Sequence, residues 1–181
     1  KQHLELCRDI AQKFNNDFNS PDFLKVPEPL IQKEFSRIMS LKDGMKKMSK
    51  SDPSDLSRIN LTDNKDEIFN KIKKAKTDTM PMPSNVKDLI KRPEAENLLG
   101  VYSSLNNQSI ENSVNEFNGK QFSEFKEKLS EILIEKIEPI SNEIKRLLNE
   151  EKYLDEVLIE GSEKAGKIAS KKIKEIKELV G

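Results

Sequence analysis

The sequence predicts a mostly α-helical protein in two parts, and three observations support this fold class. Apolar residues recur at helical spacing over most of the chain, above all between Phe122 and Leu148. Apolar and polar residues alternate, as they do in a strand, only in residues 37–41, and one such segment is too little to build a sheet. Apolar residues make up 34% of the 181 residues, enough to line one face of each helix although 35% are charged. We therefore expect a helical bundle in the second half.

The first part of the chain begins with one predicted helix and ends in a loop. Apolar positions at helical spacing indicate an amphipathic helix over roughly 3–18, and the prolines after Ser20 break it. Residues 37–41 are expected to form a brief strand or a strand-like exit. Residues 42–53 contain Gly, Ser and Pro without periodicity, so we expect an exposed, mobile loop.

The remaining predicted helices are separated by turn residues. They cover 62–75, 95–105, 110–117, 122–148, 153–158 and 165–179. Thr62 and Ser109 are the expected N-caps of the first and third of these. Pro139 should kink or restart the longest helix near residue 138, and Gly161 should close the short helix that follows it.

The net charge of zero hides an uneven distribution of charge. Residues 37–58 hold six basic and three acidic side chains, residues 111–160 hold seven and thirteen, and residues 161–181 hold six and three. Basic stretches attract nucleic acid even in a neutral chain, and ordinary solvated helix faces are the alternative. The longest apolar runs are triplets, far below the ~18 residues of a membrane span, so no membrane partner is expected.

The single cysteine and the single histidine do not indicate a catalytic pair. Cys7 occupies an apolar position of the first predicted helix, so we expect a buried thiol, whereas His3 is expected at the surface. One cysteine excludes an intramolecular disulfide framework and fits a reducing compartment. Together with the lack of an apolar leader segment, this predicts a cytoplasmic protein.

Phosphate handling is the chemistry that the sequence places in the loop. Residues 46–51 contain three lysines and two serines. Ammonium groups attract phosphate as point charges, and hydroxyl groups add directional hydrogen bonds. Such a loop can close over a triphosphate and neutralise charge on a leaving pyrophosphate. Composition alone favours an ordinary Lys- and Ser-rich surface loop, and no Walker-type phosphate loop is present.

The order of residues in this loop is more specific than its composition. Residues 47–51 spell Lys-Met-Ser-Lys-Ser, the KMSKS signature of class I aminoacyl-tRNA synthetases. Together with residues 37–41 before it and Asp52 after it, the segment closely resembles the tryptophan–tRNA ligase (tryptophanyl-tRNA synthetase) family. The resemblance extends to residues 2–6, 97–99, 102–103, 109–111, 160–165 and 168–169. Tyrosyl-tRNA synthetases are the nearest alternative within the class, and the sequence of residues 37–52 argues against them.

The resemblance implies an enzyme that activates tryptophan with ATP, releases pyrophosphate and transfers tryptophan to its tRNA. It also implies that Mg²⁺ accompanies ATP without a dedicated protein site, and that the full-length protein is a homodimer. Lys47 and Lys50 would be the catalytic residues that stabilise the pyrophosphate, while the backbone of Ile38 would contact adenine. The implied nucleotide-binding residues are Ile38, Lys47, Met48, Ser49, Lys50 and Ser51.

The resemblance also divides the chain into two domains. Residues 1–78 would be the C-terminal remnant of a Rossmann-type α/β nucleotide-binding domain, with few short strands and the mobile loop. Residues 79–181 would form an all-α tRNA- and anticodon-binding domain. The family's HIGH-type motif and tryptophan-pocket residues do not occur in the sequence, so we expect the chain alone to be inactive. A non-catalytic helical RNA-binding module derived from a class I synthetase is the alternative.

Overall fold

The computed structural model describes residues 2–30 and 37–181, and helices dominate these residues. The helices are α1 (Gln2–Asp17), α2 (Lys65–Lys74), α3 (Val86–Leu89), α4 (Pro93–Leu105), α5 (Ile110–Phe117), α6 (Phe122–Leu148) and α7 (Glu151–Val180). Two strands, β1 (Met39–Ser40) and β2 (Asp43–Lys47), pair antiparallel, and a 3₁₀ turn covers Asp55–Ser57. The predicted mostly helical fold class is confirmed.

The chain divides into two compact units. One unit joins the described residues up to 30 with residues 150–181, and the other runs from residue 37 to residue 149. This division differs from the boundary between residues 78 and 79 that the sequence suggested, which stays a prediction. In the two described stretches, no helix has the length and apolarity needed to cross a membrane.

The unit formed by residues 37–149 is called the central unit below. Its core lies between α2, α4, α5 and α6. Its largest fully buried side chains are Phe117, Phe125, Ile68, Ile72, Leu98, Leu99 and Leu129. The rings of Tyr102, Phe117 and Phe125 meet edge to face, with centroids 4.8 to 5.9 Å apart. Edge-to-face contacts place the positive ring edge on the negative face, which adds to the stabilisation from apolar burial.

Helix α6 runs unbroken through Pro139, so of the two predicted alternatives the restart near residue 138 is wrong, while the kink stays a prediction. Pro139 is exposed, and backbone groups freed by the missing N–H at such a position can bond to water. The last buried apolar side chain of α6 is Ile137, and only Ser141 is buried beyond it. Ile140 is 44% exposed and Leu148 is 62% exposed. The predicted apolar stripe from Phe122 to Leu148 therefore faces the core only in the first half of the helix.

The helix caps of the central unit follow the predicted chemistry at one of two sites. Ser109 caps α5 by accepting from the N–H of Asn112 at 3.2 Å, as predicted. The cap of α2 is Asn64, not Thr62, since Asn64 Oδ1 accepts from the N–H of Glu67 while Glu67 accepts from the N–H of Asn64. This reciprocal capping box satisfies two otherwise unpaired donors, which the Thr62 prediction missed.

The terminal helix α7 is continuous, so the predicted division at Gly161 is wrong. Gly161 and Gly166 both lie inside its 30 residues. A glycine ends a helix when it adopts positive φ, as Gly119 does after α5 at +71°. Neither glycine of α7 adopts positive φ. No residue of α7 is buried.

Helix α1 agrees with the helix predicted over 3–18, but its buried face is different. Ala11 and Asn15 are its buried residues. Cys7 is exposed, so the predicted buried thiol is wrong, while His3 is exposed as predicted. The amide of Asn15 pairs with both backbone groups of Leu24 at 2.9 Å, which draws the following segment onto the helix.

Candidate functional site

The sequence motif at residues 47–51 begins at the end of a β-hairpin. Met39 pairs with Lys47 and Ser40 with Asp43, with an irregularity between the two pairs. The N–H of Met48 then donates to the carbonyl oxygen of Ile38 at 3.0 Å. The predicted exposed, mobile loop over 42–53 is therefore wrong for the five residues of β2, which form a strand, while the residues that follow form an exposed turn.

The hairpin lies against the start of α4 through both of its strands. On β1, the N–H of Met39 donates to Asn97 Oδ1 at 2.8 Å, and Asn97 Nδ2 donates to the carbonyl oxygen of Met39 at 2.9 Å. On β2, a Cβ on Gly44 would lie 2.7 Å from the backbone nitrogen of Glu94 and from the carbonyl carbon of Pro93. Since any side chain at residue 44 would collide with the helix, the close approach requires glycine.

The far end of the turn is held by Arg58. Its Nη1 donates to the carbonyl oxygen of Asp52 at 2.9 Å. The Asp52 side chain accepts from the N–H of Ser54 at 2.8 Å, which closes a local turn. The backbone then returns to the hairpin, because the N–H of Leu41 donates to the carbonyl oxygen of Ser57 at 2.9 Å. Both ends of residues 48–52 are therefore fixed to the central unit.

A buried ammonium group ties this region to α2. Lys71 is 3% exposed, and its Nζ lies 2.6 Å from a carboxylate oxygen of Asp55 and 2.6 Å from one of Asp63. Burial alone would lower the pKa of Lys71, but the hydrogen bonds to the two carboxylates outweigh it and raise that pKa. Hydrogen bonds from Lys71 and Asn60 lower the pKa of Asp55. Lys71 and Asp55 therefore remain charged at neutral pH.

The predicted site residues lie together on the turn. Lys47, Ser49, Lys50 and Ser51 are exposed, while Met48 is partly buried and packs against the core. The hydroxyl groups of Ser49 and Ser51 lie 2.9 Å apart, and the N–H of Ser51 donates to Ser49 Oγ at 3.3 Å. The turn therefore presents two ammonium groups and two adjacent hydroxyl groups on one exposed segment.

Ile38, the predicted adenine contact, lies beside this turn and is 44% exposed. Its carbonyl oxygen accepts from Met48, and a carbonyl oxygen has a second lone pair for another donor. The structure thus brings Ile38 and residues 47–51 into one hairpin-and-turn unit.

The charge on the turn is not neutralised by nearby carboxylates. Lys46 Nζ lies 3.8 Å from Asp43 Oδ2. Neither Lys47 nor Lys50 forms an ion pair with any residue of the described stretches. Among those same residues, no three His, Cys, Asp or Glu side chains converge in the manner of a metal site. The donor set suits an anion more than a bare cation.

The sequence of the chain matches a known protein family. A family model described as tRNA synthetases class I (W and Y) matches residues 1–138. The chain belongs to this family. The tryptophan–tRNA ligase of Caulobacter vibrioides is 49% identical over 181 residues, which are 100% of this chain and 53% of that protein. The tryptophan–tRNA ligase of Rickettsia felis is 50% identical, and the match covers 54% of it.

Solved structures of class I synthetases share the fold. The tryptophanyl-tRNA synthetase of Mycoplasma pneumoniae matches with a TM-score of 0.66 and 28% identity, over 80% of this chain and 45% of that one. The enzyme of Campylobacter jejuni matches with a TM-score of 0.60 and 25% identity, over 99% and 53%. The chain thus spans about half the length of the synthetases it matches. The neighbours agree with the predicted remnant of a Rossmann-type domain followed by a helical bundle.

Sequence reasoning did not identify the residues that hold the turn of this synthetase chain. Asn97 and Lys71 are the clearest examples, and both carried a usable signal. Asn97 falls within the apolar stripe of α4, and Lys71 lies three residues after the fully buried Ile68 on α2. A polar residue on a buried helix face must have a partner, so such positions point to specific contacts.

Proposed function

We propose that this chain is the part of a tryptophan–tRNA ligase that carries the mobile nucleotide loop and the helical tRNA-binding region. The full-length protein would convert tryptophan and ATP to tryptophanyl-adenylate and pyrophosphate, then transfer tryptophan to its tRNA. The observation that carries the proposal is the exposed Lys-Met-Ser-Lys-Ser turn at residues 47–51, in a chain whose relatives bear that enzyme's name.

Lys47 and Lys50 are the proposed catalytic residues. Their ammonium groups are exposed on the turn and have no carboxylate partner in the described stretches. As the bond between the α- and β-phosphates of ATP breaks, negative charge develops on the leaving pyrophosphate. Positive charge held at that position stabilises the transition state more than the bound substrate, which accelerates the reaction.

The other nucleotide contacts come from Ile38, Met48, Ser49 and Ser51. The paired hydroxyl groups of Ser49 and Ser51 can donate to phosphate oxygens, and Met48 anchors the turn through its partly buried side chain. The backbone of Ile38 is the proposed adenine contact. Mg²⁺ would enter with ATP, held by the phosphates.

The proposed partners are tryptophan, ATP and the tRNA for tryptophan, bound by a cytoplasmic homodimer of the full-length protein. Residues 79–181 are the proposed tRNA- and anticodon-binding domain. The chain of residues 1–181 alone should not form adenylate, because the HIGH-type motif and the tryptophan-pocket residues do not occur in it.

The decisive assay is tryptophan-dependent exchange between ATP and pyrophosphate by the full-length protein. Lys50→Ala should lower exchange on the order of 100-fold, the usual effect of removing one group that stabilises developing charge. Lys46→Ala is the matched control, because Lys46 lies on the same hairpin but faces Asp43. Exchange that survives Lys50→Ala would contradict the site assignment. Full-length protein that binds tRNA without any exchange would instead support a non-catalytic RNA-binding module.

A further inference from the structure

We propose that Asn97 is a positioning residue for the nucleotide turn, acting from α4 through the backbone of Met39. The proposal rests on the proposed function, because the turn at residues 47–51 must bind ATP for its position to matter. Asn97 does not reach the nucleotide itself, since it is only 3% exposed. It acts through the strand that it fixes.

The amide of Asn97 pairs with the Met39 backbone as a neighbouring strand would. It accepts from the N–H at 2.8 Å and donates to the carbonyl oxygen at 2.9 Å, across 58 residues of sequence. Strand β1 is only two residues long, so this side chain supplies pairing that a longer sheet would otherwise provide. Both bonds are short and partly buried, which makes the position of Met39 well defined.

The second strand confirms that the hairpin is fitted to α4. Gly44 approaches the backbone of Pro93 and Glu94 so closely that a Cβ would lie 2.7 Å away. Glu94 in turn pairs with Lys76 at 2.9 Å, and this bond is the main cause of the lowered pKa of Glu94. The hairpin therefore cannot slide along α4 without losing the Asn97 bonds and colliding at Gly44.

The position of Met39 is passed directly to the site. Met39 shares a peptide unit with Ile38, whose carbonyl oxygen holds the N–H of Met48 at 3.0 Å. Met48 is the second residue of the motif, between the two catalytic lysines proposed above. A shift of Met39 therefore moves the adenine contact and the turn together. Small displacements of this kind are costly where reacting groups must be held in place.

The test is steady-state exchange kinetics of full-length Asn97→Asp and Asn97→Leu, with KM for ATP and KM for tryptophan measured separately. Asp keeps the acceptor and loses the donor, whereas Leu removes both. Asn15→Asp is the matched control. Asn15 makes the same two-bond contact with Leu24 at 2.9 Å in the other compact unit, far in sequence from the turn.

We expect KM for ATP to rise about tenfold in Asn97→Asp, the effect of roughly one lost hydrogen bond, and to rise further in Asn97→Leu, which loses both bonds. KM for tryptophan should stay within twofold of wild type, and Asn15→Asp should leave both constants unchanged. A purely structural role would reduce the active fraction and hence kcat, with KM for ATP unchanged. That result, or an equal rise in both KM values, would overturn the proposal.

Two further results of this test also have a defined meaning. If Asn97→Leu does not fold, the same comparison of KM values is made with Asn97→Asp alone. Its melting temperature is measured beside that of Asn15→Asp, to show that both variants are folded at the assay temperature. If wild-type full-length protein shows no tryptophan-dependent exchange, the proposed function fails. An active wild type with unaltered Asn97 variants overturns only the positioning role.

Discussion

Arg92 holds Asp78 through two parallel hydrogen bonds, each 2.7 Å long, from Nε to Oδ2 and from Nη2 to Oδ1. The same guanidinium donates from Nη1 to the carbonyl oxygen of Pro81 at 2.8 Å and lies 5.5 Å from the ring centroid of Phe122. Arg92 is the residue before α4 and is 8% exposed. One side chain therefore fixes the segment that links α2 to the later helices.

Arg92→Lys should lower the free energy of unfolding by about 2 kcal/mol. A lysine cannot reproduce the planar two-bond contact or the additional bond to Pro81. Breaking a fully buried pair costs about 3–5 kcal/mol, and the partial exposure of Asp78 reduces that figure. Urea denaturation measures the change. The control is Arg146→Lys, which alters a similar two-bond contact with Glu143 on an exposed face and should cost much less than Arg92→Lys. Equal losses at the two sites would refute this account.

Tyr102 should lose its proton only in strongly alkaline solution. Burial, with a hydrogen bond to Glu116 at 2.8 Å, raises the pKa of Tyr102 to about 12. Because this value lies above the unfolded value of about 10, the contribution to stability is complete below pH 10 and is lost as the pH rises towards 12.

The absorbance of tyrosinate can report this ionisation on its own. The chain has two tyrosines and no tryptophan, so Tyr153→Phe leaves Tyr102 as the single tyrosine signal. We expect native protein to titrate near 12 and protein in denaturant to titrate near 10. Titration near 10 while the helical circular dichroism is intact would show that Tyr102 is not shielded as described.

Lys71→Met should destabilise the protein by about 3 kcal/mol, because it leaves the buried carboxylate of Asp63 without its cation. Asp63 is 5% exposed, so its charge cannot be transferred to water. Lys65→Met is the control, since Lys65 lies on the same helix and is exposed. Thermal denaturation at neutral pH measures both variants. If Lys71→Met and Lys65→Met have the same melting temperature, the ammonium group of Lys71 does not have the structural role assigned to it.

Two glycine substitutions should have opposite effects. Gly161→Ala should stabilise the protein by about 1 kcal/mol, because the residue lies inside α7 and no atom approaches the added Cβ within 4 Å. Gly44→Ala should destabilise it, because the added Cβ would lie 2.7 Å from the backbone of α4. Denaturant unfolding compares the two variants with wild type. A stabilising Gly44→Ala would mean that the hairpin does not lie against α4 as described.

The sequence was a good guide where a local signal decided the structure. The spacing of apolar residues located the helices, Ser109 was found as a cap, and the motif at residues 47–51 lies on an exposed turn as expected. These features depend on residues within a few positions of one another, so a linear pattern contains them.

The sequence was a poor guide where a distant partner decided the structure. On α2 the aromatic side chain of Phe69 is 44% exposed, whereas the charged side chain of Lys71 is only 3% exposed. Asp55 and Asp63 make that burial possible, and no periodicity encodes them. Strand β2 was missed for the same reason, because Gly44 weakens a strand unless the start of α4 lies against it. The Asn97 contact, across 58 residues, has no local signature beyond its buried position.

The contact between Phe23 and Lys172 sets an order of events during synthesis. Lys172 Nζ lies 4.1 Å from the Phe23 ring centroid and donates to the Phe23 carbonyl oxygen at 3.3 Å, across 149 residues. At roughly 5–20 residues per second, a ribosome needs on the order of ten seconds to supply that separation. Residues 37–149 are complete earlier, so the nucleotide turn and its supporting core can form while α1 still awaits its contact with α7. A nascent chain would therefore acquire the hairpin and its turn before Phe23 and Lys172 meet.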